Sequence, residues 1–241
     1  MIRITLCRHG ETHNNRARVV QGQDPTQGKL TPKGLDQARR LGERLAKVPF
    51  EVAYCSPLER AVLTMAQVLA ARPGERTVPL HFPPELREVN LGVLHGRPHT
   101  EWKAAIHGDP MTWRPERGES WIDVQDRVTD YLRRTILRGG QRTILIVAHG
   151  GVNRGLIASL TGITMGQAWE PEGIGTPQEN TCINQLDLDD NGTLVAATVN
   201  DTLHLKPEPE AGAGQRWLVK ERRWEVLGAH SGGGGFELPL G

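Results

Sequence analysis

Apolar and polar positions fall into three blocks built on one plan: a short apolar strand, a turn, then an amphipathic helix. In the first block Ile2–Cys7 runs into Arg8-His9-Gly10-Glu11-Thr12, and after a polar loop a helix spans about Pro32 to Lys47. Thr31 is placed to cap it and Pro32 sits at its first position, with Leu35, Ala38, Leu41, Leu45 and Val48 on one face. In the second, Val52–Cys55 meets Ser56-Pro57-Leu58-Glu59, which reads as a capping box opening a helix to about Ala70 with Arg60 in its first turn. In the third, the β-branched run Thr143–Val147 ends in Ala148-His149-Gly150-Gly151, and a helix follows through Leu160.

A further helix, about Trp121 to Leu137, separates the second and third blocks. Its capping box is Ser120 with Asp123, and its buried stripe is Trp121, Val124, Val128, Tyr131 and Leu132. Two strands close the pattern, about Thr181–Leu188 and Leu194–Val199, joined by the turn Asp189-Asp190-Asn191-Gly192. Strands alternating with helices predict an α/β fold: a three-layer α/β/α arrangement with a largely parallel mixed sheet and an antiparallel edge hairpin. From about Lys206 the composition shifts to Pro, Glu, Ala and Gly. Residues 1–205 are therefore expected to form one domain and 206–241 a flexible tail, with a short aromatic-basic island over residues 216–224.

Composition removes several classes of function. The 241 residues are 37% hydrophobic and 24% charged with a formal net charge of +1, so a general nucleic-acid or membrane-surface binder is not indicated. No apolar run approaches the roughly 18 residues of a membrane span, and the cytoplasm is the expected compartment. Three cysteines, Cys7, Cys55 and Cys182, lack metal-type spacing and read as buried thiols. His95, His99 and His107 lack zinc spacing, and the calcium-loop-like start at Asp187 has Thr198 where a glutamate is needed, so no metal site is expected.

What remains is a local cluster. The carboxyl ends of parallel strands share one edge, where ligands bind. Just past the three strands lie Arg8-His9, Ser56 with Arg60, and His149-Gly150-Gly151, beside helix N-termini with unpaired N–H groups. Two arginines and two histidines in one crevice repel one another unless a multiply charged anion fills it. Phosphate suits the planar fork of arginine.

The motifs Arg8-His9-Gly10-Glu11-Thr12 with Asn15, Ser56-Pro57-Leu58-Glu59-Arg60-Ala61, Leu86-Arg87-Glu88, Gly118-Glu119-Ser120, Ala148-His149-Gly150-Gly151, Asn200-Asp201 and His204-Leu205 occur in that order. Together they resemble the histidine phosphatase superfamily, the phosphoglycerate-mutase-like proteins, over about residues 1 to 205. The resemblance implies that His9 is the nucleophile, that Arg8, Arg60 and His149 clamp phosphate, and that Glu88 is the general acid and base. It further implies phosphate or substrate contacts from Asn15, Gln21, Gly22 and Gly150, leaves His204 beside the site, and calls for no cofactor.

The chemistry fits these residue types. A neutral imidazole offers a lone pair to phosphorus, cations stabilise the equatorial oxygens, and one carboxyl group can protonate the leaving oxygen and then activate water. The expected function is hydrolysis of phosphate monoesters of small metabolites through a phosphohistidine, with neither nucleic acid nor membrane as partner and a homodimer as the candidate assembly. The alternatives are a cofactor-dependent phosphoglycerate mutase and a non-catalytic phosphate- or phosphoprotein-binding module. The short stretch from Glu88 to Glu119, with scattered basic residues, favours the phosphatase, and Trp102, Trp113 and Trp169 are candidates for an apolar wall.

Overall fold

The structure is a computed structural model describing residues 1–74, 77–171, 173–206, 215–220, 223–227 and 236–237, the last three segments by backbone alone. In chain order the elements are β1 (Ile2–Arg8), α1 (His13–Ala17), α2 (Pro32–Leu45), β2 (Val52–Cys55), α3 (Glu59–Ala70), β3 (Leu80–His81), α4 (His99–Ala105), α5 (Trp121–Tyr131), β4 (Thr143–Ala148), α6 (Gly150–Thr161), α7 (Met165–Trp169), β5 (Ile183–Leu188) and β6 (Leu194–Asp201). The strand order β3-β2-β4-β1-β5-β6 has four parallel members followed by the antiparallel hairpin β5–β6. Backbone strands β7 (Gln215–Lys220), β8 (Arg223–Leu227) and β9 (Phe236–Glu237) continue the sheet beyond the hairpin. Part of the predicted island is thus strand; most of the predicted flexible tail lies outside the described residues.

The sheet is covered on both faces, which explains its near-continuous apolar strands. Ile144, Leu145, Ile146, Val147 and Ala148 of β4 are all fully buried. Ile4, Leu6, Ile144 and Ile146 meet Val124, Val128, Leu156 and Ile157 of α5 and α6 on one face. Cys7, Ala53, Leu145 and Val147 meet Leu41, Leu45, Met65 and Val68 of α2 and α3 on the other. Truncating any one of these large aliphatic side chains to alanine would cost about 2–5 kcal/mol.

Local signals mostly act as expected. Thr31 accepts from the Gly34 N–H, and Ser120 and Asp123 form their reciprocal cap. Asp189 closes the hairpin by accepting from the N–H groups of Asn191 and Thr193. Four details differ. Leu35 turns outward, because α2 buries the face carrying Gly34, Ala38 and Leu41. The predicted helix 121–137 changes to a wider π-type turn over Leu132–Ile136, burying Leu132 and Ile136. Strand β5 begins at Ile183 because Thr181 is held at positive φ, 58°. Ser56 does not cap α3, which starts at Glu59 with no side-chain cap; its hydroxyl has another partner, described below.

The parallel register aligns Arg8 with Ala148 and Cys55 with Val147, so β1, β2 and β4 end at one edge. The turn after β1 presses onto α2 at two glycines. A Cβ on Gly10 would stand 2.4 Å from the Gly34 carbonyl oxygen, and one on Gly34 2.0 Å from that of Glu11. Larger residues would push the His9 turn off the helix.

Candidate active site

His9 follows β1, with its N–H on the Ala148 carbonyl and its own carbonyl accepting from the Thr181 N–H and from Asn180 Nδ2. The imidazole is 2% exposed. Its Nδ1 lies 2.7 Å from the Gly10 carbonyl oxygen. A carbonyl only accepts, so Nδ1 carries the proton and the lone pair is left on Nε2. The Gly10 N–H donates to the Thr64 hydroxyl, which itself donates to the Arg60 carbonyl. Nucleophile turn and arginine helix are thereby tied together.

Three further groups surround this ring. Arg8 donates through Nη1 to the Gln178 carbonyl at 2.5 Å, while its buried Nε has no hydrogen-bond partner among the described residues. Arg60, 2% exposed, donates through Nη2 to the Gly22 carbonyl (2.8 Å) and through Nε to His149 Nδ1 (3.2 Å). Guanidinium cannot accept, so Nδ1 of His149 does. A neutral His149 therefore carries its proton on Nε2, 2.7 Å from the Ser56 hydroxyl. That contact is the role of Ser56 that capping logic misread. The rings of His9 and His149 stand 5.2 Å apart.

Burial, then Arg60 and Arg8, hold the pKa of His9 well below its ordinary value; burial, Arg60, His9 and Arg8 do the same for His149. Desolvation lowers Arg60 to about 10 and also lowers Arg8, yet both remain cations at neutral pH. The site is cationic, its side chains are largely buried, and Arg8 Nε is a buried donor without a partner among the described residues. Such a donor is costly unless an acceptor arrives. An oxyanion fits.

These shifts carry a stability consequence. In the unfolded chain His9 and His149 titrate near pH 6.5. The folded protein refuses those protons, so the unfolded state binds more of them below that pH. Stability is therefore full above about pH 7 and falls with acidification, by up to about 1.4 kcal/mol per pH unit for each histidine. Melting temperatures measured from pH 8 to 5 should plateau and then drop below about pH 6.5; a flat curve to pH 5 would contradict these shifts.

A cavity of about 260 Å³ is lined by Arg8, His9, Asn15, Gln21, Gly22, Arg60, Glu88 and Gly150, all expected from sequence. His149 lies directly behind them, in contact with Arg60. Glu88 is fixed by its carboxylate, Oε1 accepting from the Val89 N–H (2.9 Å) and Oε2 from the Gly151 N–H (3.2 Å). A Cβ on Gly151 would come within 2.6 Å of Glu88 Oε1, so glycine there leaves the carboxylate its place. Asn15 Oδ1 accepts from the Thr12 N–H and from Asn180 Nδ2. Gln21 accepts from the Thr12 hydroxyl. His204 sits behind the site: its Nε2 meets the Thr181 hydroxyl, and burial lowers it to about 4.

Trp102 and Trp169 line the cavity, but Trp113 does not; it pairs with His107 elsewhere. Sequence patterning misses Arg154, which lies one turn after Gly150 on the same face of α6, a spacing that could have revealed it. It also misses His95, whose Nε2 accepts from the N–H groups of Leu91 and Gln23 and so anchors the loop carrying Gln21 and Gly22. A larger cavity of about 620 Å³ lies apart, between Leu132, Leu160 and the Asp190–Leu194 turn, and shares no residue with this cluster.

A model of the histidine phosphatase superfamily (branch 1) matches residues 4–202. The chain is 34% identical over 183 residues to the adenosylcobalamin/alpha-ribazole phosphatase of Salmonella typhimurium, covering 70% of this chain and 84% of that protein. It is 30% identical over 217 residues to the probable phosphoglycerate mutase GpmB of Salmonella choleraesuis, covering 85% and 95%. Among solved structures, YhfR of Bacillus stearothermophilus superposes with a TM-score of 0.73 at 30% identity, covering 86% of this chain and all of the other.

Proposed function

The chain belongs to the histidine phosphatase superfamily and is a phosphoric monoester hydrolase, and we propose that it transfers the phosphoryl group of small metabolite esters to His9 Nε2 and then to water. The observation that carries this reading is the hydrogen bond from His9 Nδ1–H to Gly10, which aims the remaining lone pair of a neutral, buried imidazole into a cation-lined cavity.

The phosphate enters against Arg8, whose Nε gains an acceptor, and against Arg60, which His149 holds from behind through Nδ1. Asn15 and the Gly150 and Gly151 turn at the head of α6 complete the cradle. Attack by Nε2 forms the P–N bond as the P–O bond to the alcohol breaks, while the arginines hold the charge on the three equatorial oxygens. Glu88 protonates the departing oxygen. It then takes a proton from water, whose attack breaks the P–N bond and releases inorganic phosphate. The mutase reading would instead require a bound sugar acid to receive the phosphoryl group from His9.

We assign the catalytic unit to residues 1–205 and the protein to the cytoplasm. The three free, buried cysteines support that compartment, and among the described residues no helix is long and apolar enough to cross a membrane.

Charge stabilisation from arginine leaves no role for a metal. Hydrolysis of p-nitrophenyl phosphate should therefore be unchanged in EDTA, while vanadate, a five-coordinate phosphate mimic, should inhibit. Activity lost in EDTA and restored by zinc or magnesium would contradict the scheme. Failure to turn over any phosphate ester would leave the mutase and the binding module.

A further inference from the structure

Phosphoryl transfer as described makes no use of one part of the cavity. Trp102 of α4, Trp121 at the start of α5 and Trp169 at the end of α7 line the same space as His9 and Glu88. The indoles form a continuous array. Trp102 and Trp121 stand 6.3 Å apart at 75°, and Trp121 and Trp169 4.8 Å apart at 49°. His99 extends it, 6.0 Å from Trp102 at 69°. The array comes from three separate helices, and two of them, α4 and α7, are short elements whose last or middle turn delivers its tryptophan here.

Arg154 fixes the array from one side. Its guanidinium lies over the Trp169 ring with Cζ 4.0 Å from the centroid. Nη1 donates to the Gly150 carbonyl at 3.3 Å, and Nε reaches the Thr176 hydroxyl at 3.5 Å. One face and two donors of this arginine are thus committed to protein groups. Trp169 Nε1, by contrast, is buried with no hydrogen-bond partner among the described residues.

We propose that this array is the leaving-group subsite and that it receives a single aromatic ring, so that the preferred substrates are phosphate monoesters of alcohols carrying such a ring. The inference rests on the phosphatase reading above and narrows it to a substrate class. Trp102 and Trp121, set 75° apart, let a ring lie offset-parallel to one and edge-on to the other, the two arrangements aromatic pairs favour. Size agrees: a cavity of roughly 150 Å³ holds benzene, and the space here is about 260 Å³, leaving room for the phosphoryl group. A small anionic acid could meet Arg154 but would leave the indole faces unused.

The test compares benzyl phosphate with cyclohexylmethyl phosphate, whose alcohols are alike in size and poor as leaving groups, and with 3-phosphoglycerate. Benzyl phosphate should exceed the cyclohexyl ester in kcat/KM by roughly tenfold, the factor expected from one or two aromatic contacts. Trp102→Leu and Trp169→Leu should each shrink that ratio toward one. Calorimetric binding of benzylphosphonate and cyclohexylmethylphosphonate should show the same preference without turnover. Equal binding of the two phosphonates would overturn the proposal. So would a preference for 3-phosphoglycerate that Arg154→Gln removes, which would make the subsite an anion site. If no ester is hydrolysed, the phosphatase reading fails, and the phosphonate comparison still decides the subsite.

Discussion

In His9→Ala, steady hydrolysis of every phosphate ester should fall by on the order of 10⁴-fold or more, a barrier increase of about 5 kcal/mol or above. No neighbouring group can take over. His149 Nδ1 accepts from Arg60, and its Nε2 faces Ser56. Cys182, near Arg8, has its thiol pushed up to about 12 by burial and stays protonated. The clamp of Arg8 and Arg60 does not depend on the imidazole, since both arginines are held by backbone carbonyls. Orthovanadate or phosphate should therefore still bind the variant. In the wild type, brief mixing with labelled substrate and an alkaline quench should leave label on His9 that acid removes. Label on a serine or cysteine, or turnover in the variant near the wild-type rate, would end the assignment.

The cluster was legible because its parts are adjacent to strand ends, and strand ends in a parallel sheet must converge. Arg8, His9, Arg60 and Gly150 reach one cavity for that reason, whereas Glu88 arrives from the loop after the turn Pro84–Leu86 and was legible only through the family resemblance. Other residues outside that geometry were not legible. Arg154 looks in sequence like an ordinary charge on an amphipathic helix, and only α7 folding back brings Trp169 under it. The short helices α1, α4 and α7 carry too few turns to show a period, so the residues they deliver, Asn15, Trp102 and Trp169, lacked a predicted element. Ser56 shows the opposite error. A serine three residues before a glutamate satisfies the capping pattern, but the hydroxyl meets the buried His149 and the Leu58 N–H instead of the N–H of Glu59. Local propensity gives way where a buried polar group needs a partner.

Glu88→Gln should separate substrates by how badly their leaving oxygen needs a proton. An alkyl alcohol leaves poorly as an alkoxide, so for an alkyl ester the substitution should cost the usual general-acid factor, roughly 10²–10⁴, or about 3–5 kcal/mol. Nitrophenolate departs without a proton, so phosphorylation of His9 by p-nitrophenyl phosphate should slow far less. Dephosphorylation still needs a base for water, so phosphoenzyme should accumulate and a burst should precede slow turnover. Glutamine keeps the shape and can still accept through its amide oxygen, but it gives up one of the two bonds to the Val89 and Gly151 N–H groups. Comparing two substrates on one protein cancels that local cost. The other nearby acids offer no substitute. Glu119 is paired with Arg127 and accepts from the Asn90 N–H, while Glu11 is held by Lys33 and the Thr31 hydroxyl, and neither lines the cavity. Equal losses in the burst phase for both esters would therefore remove Glu88 from proton transfer and leave it the task of holding the Gly151 turn in place.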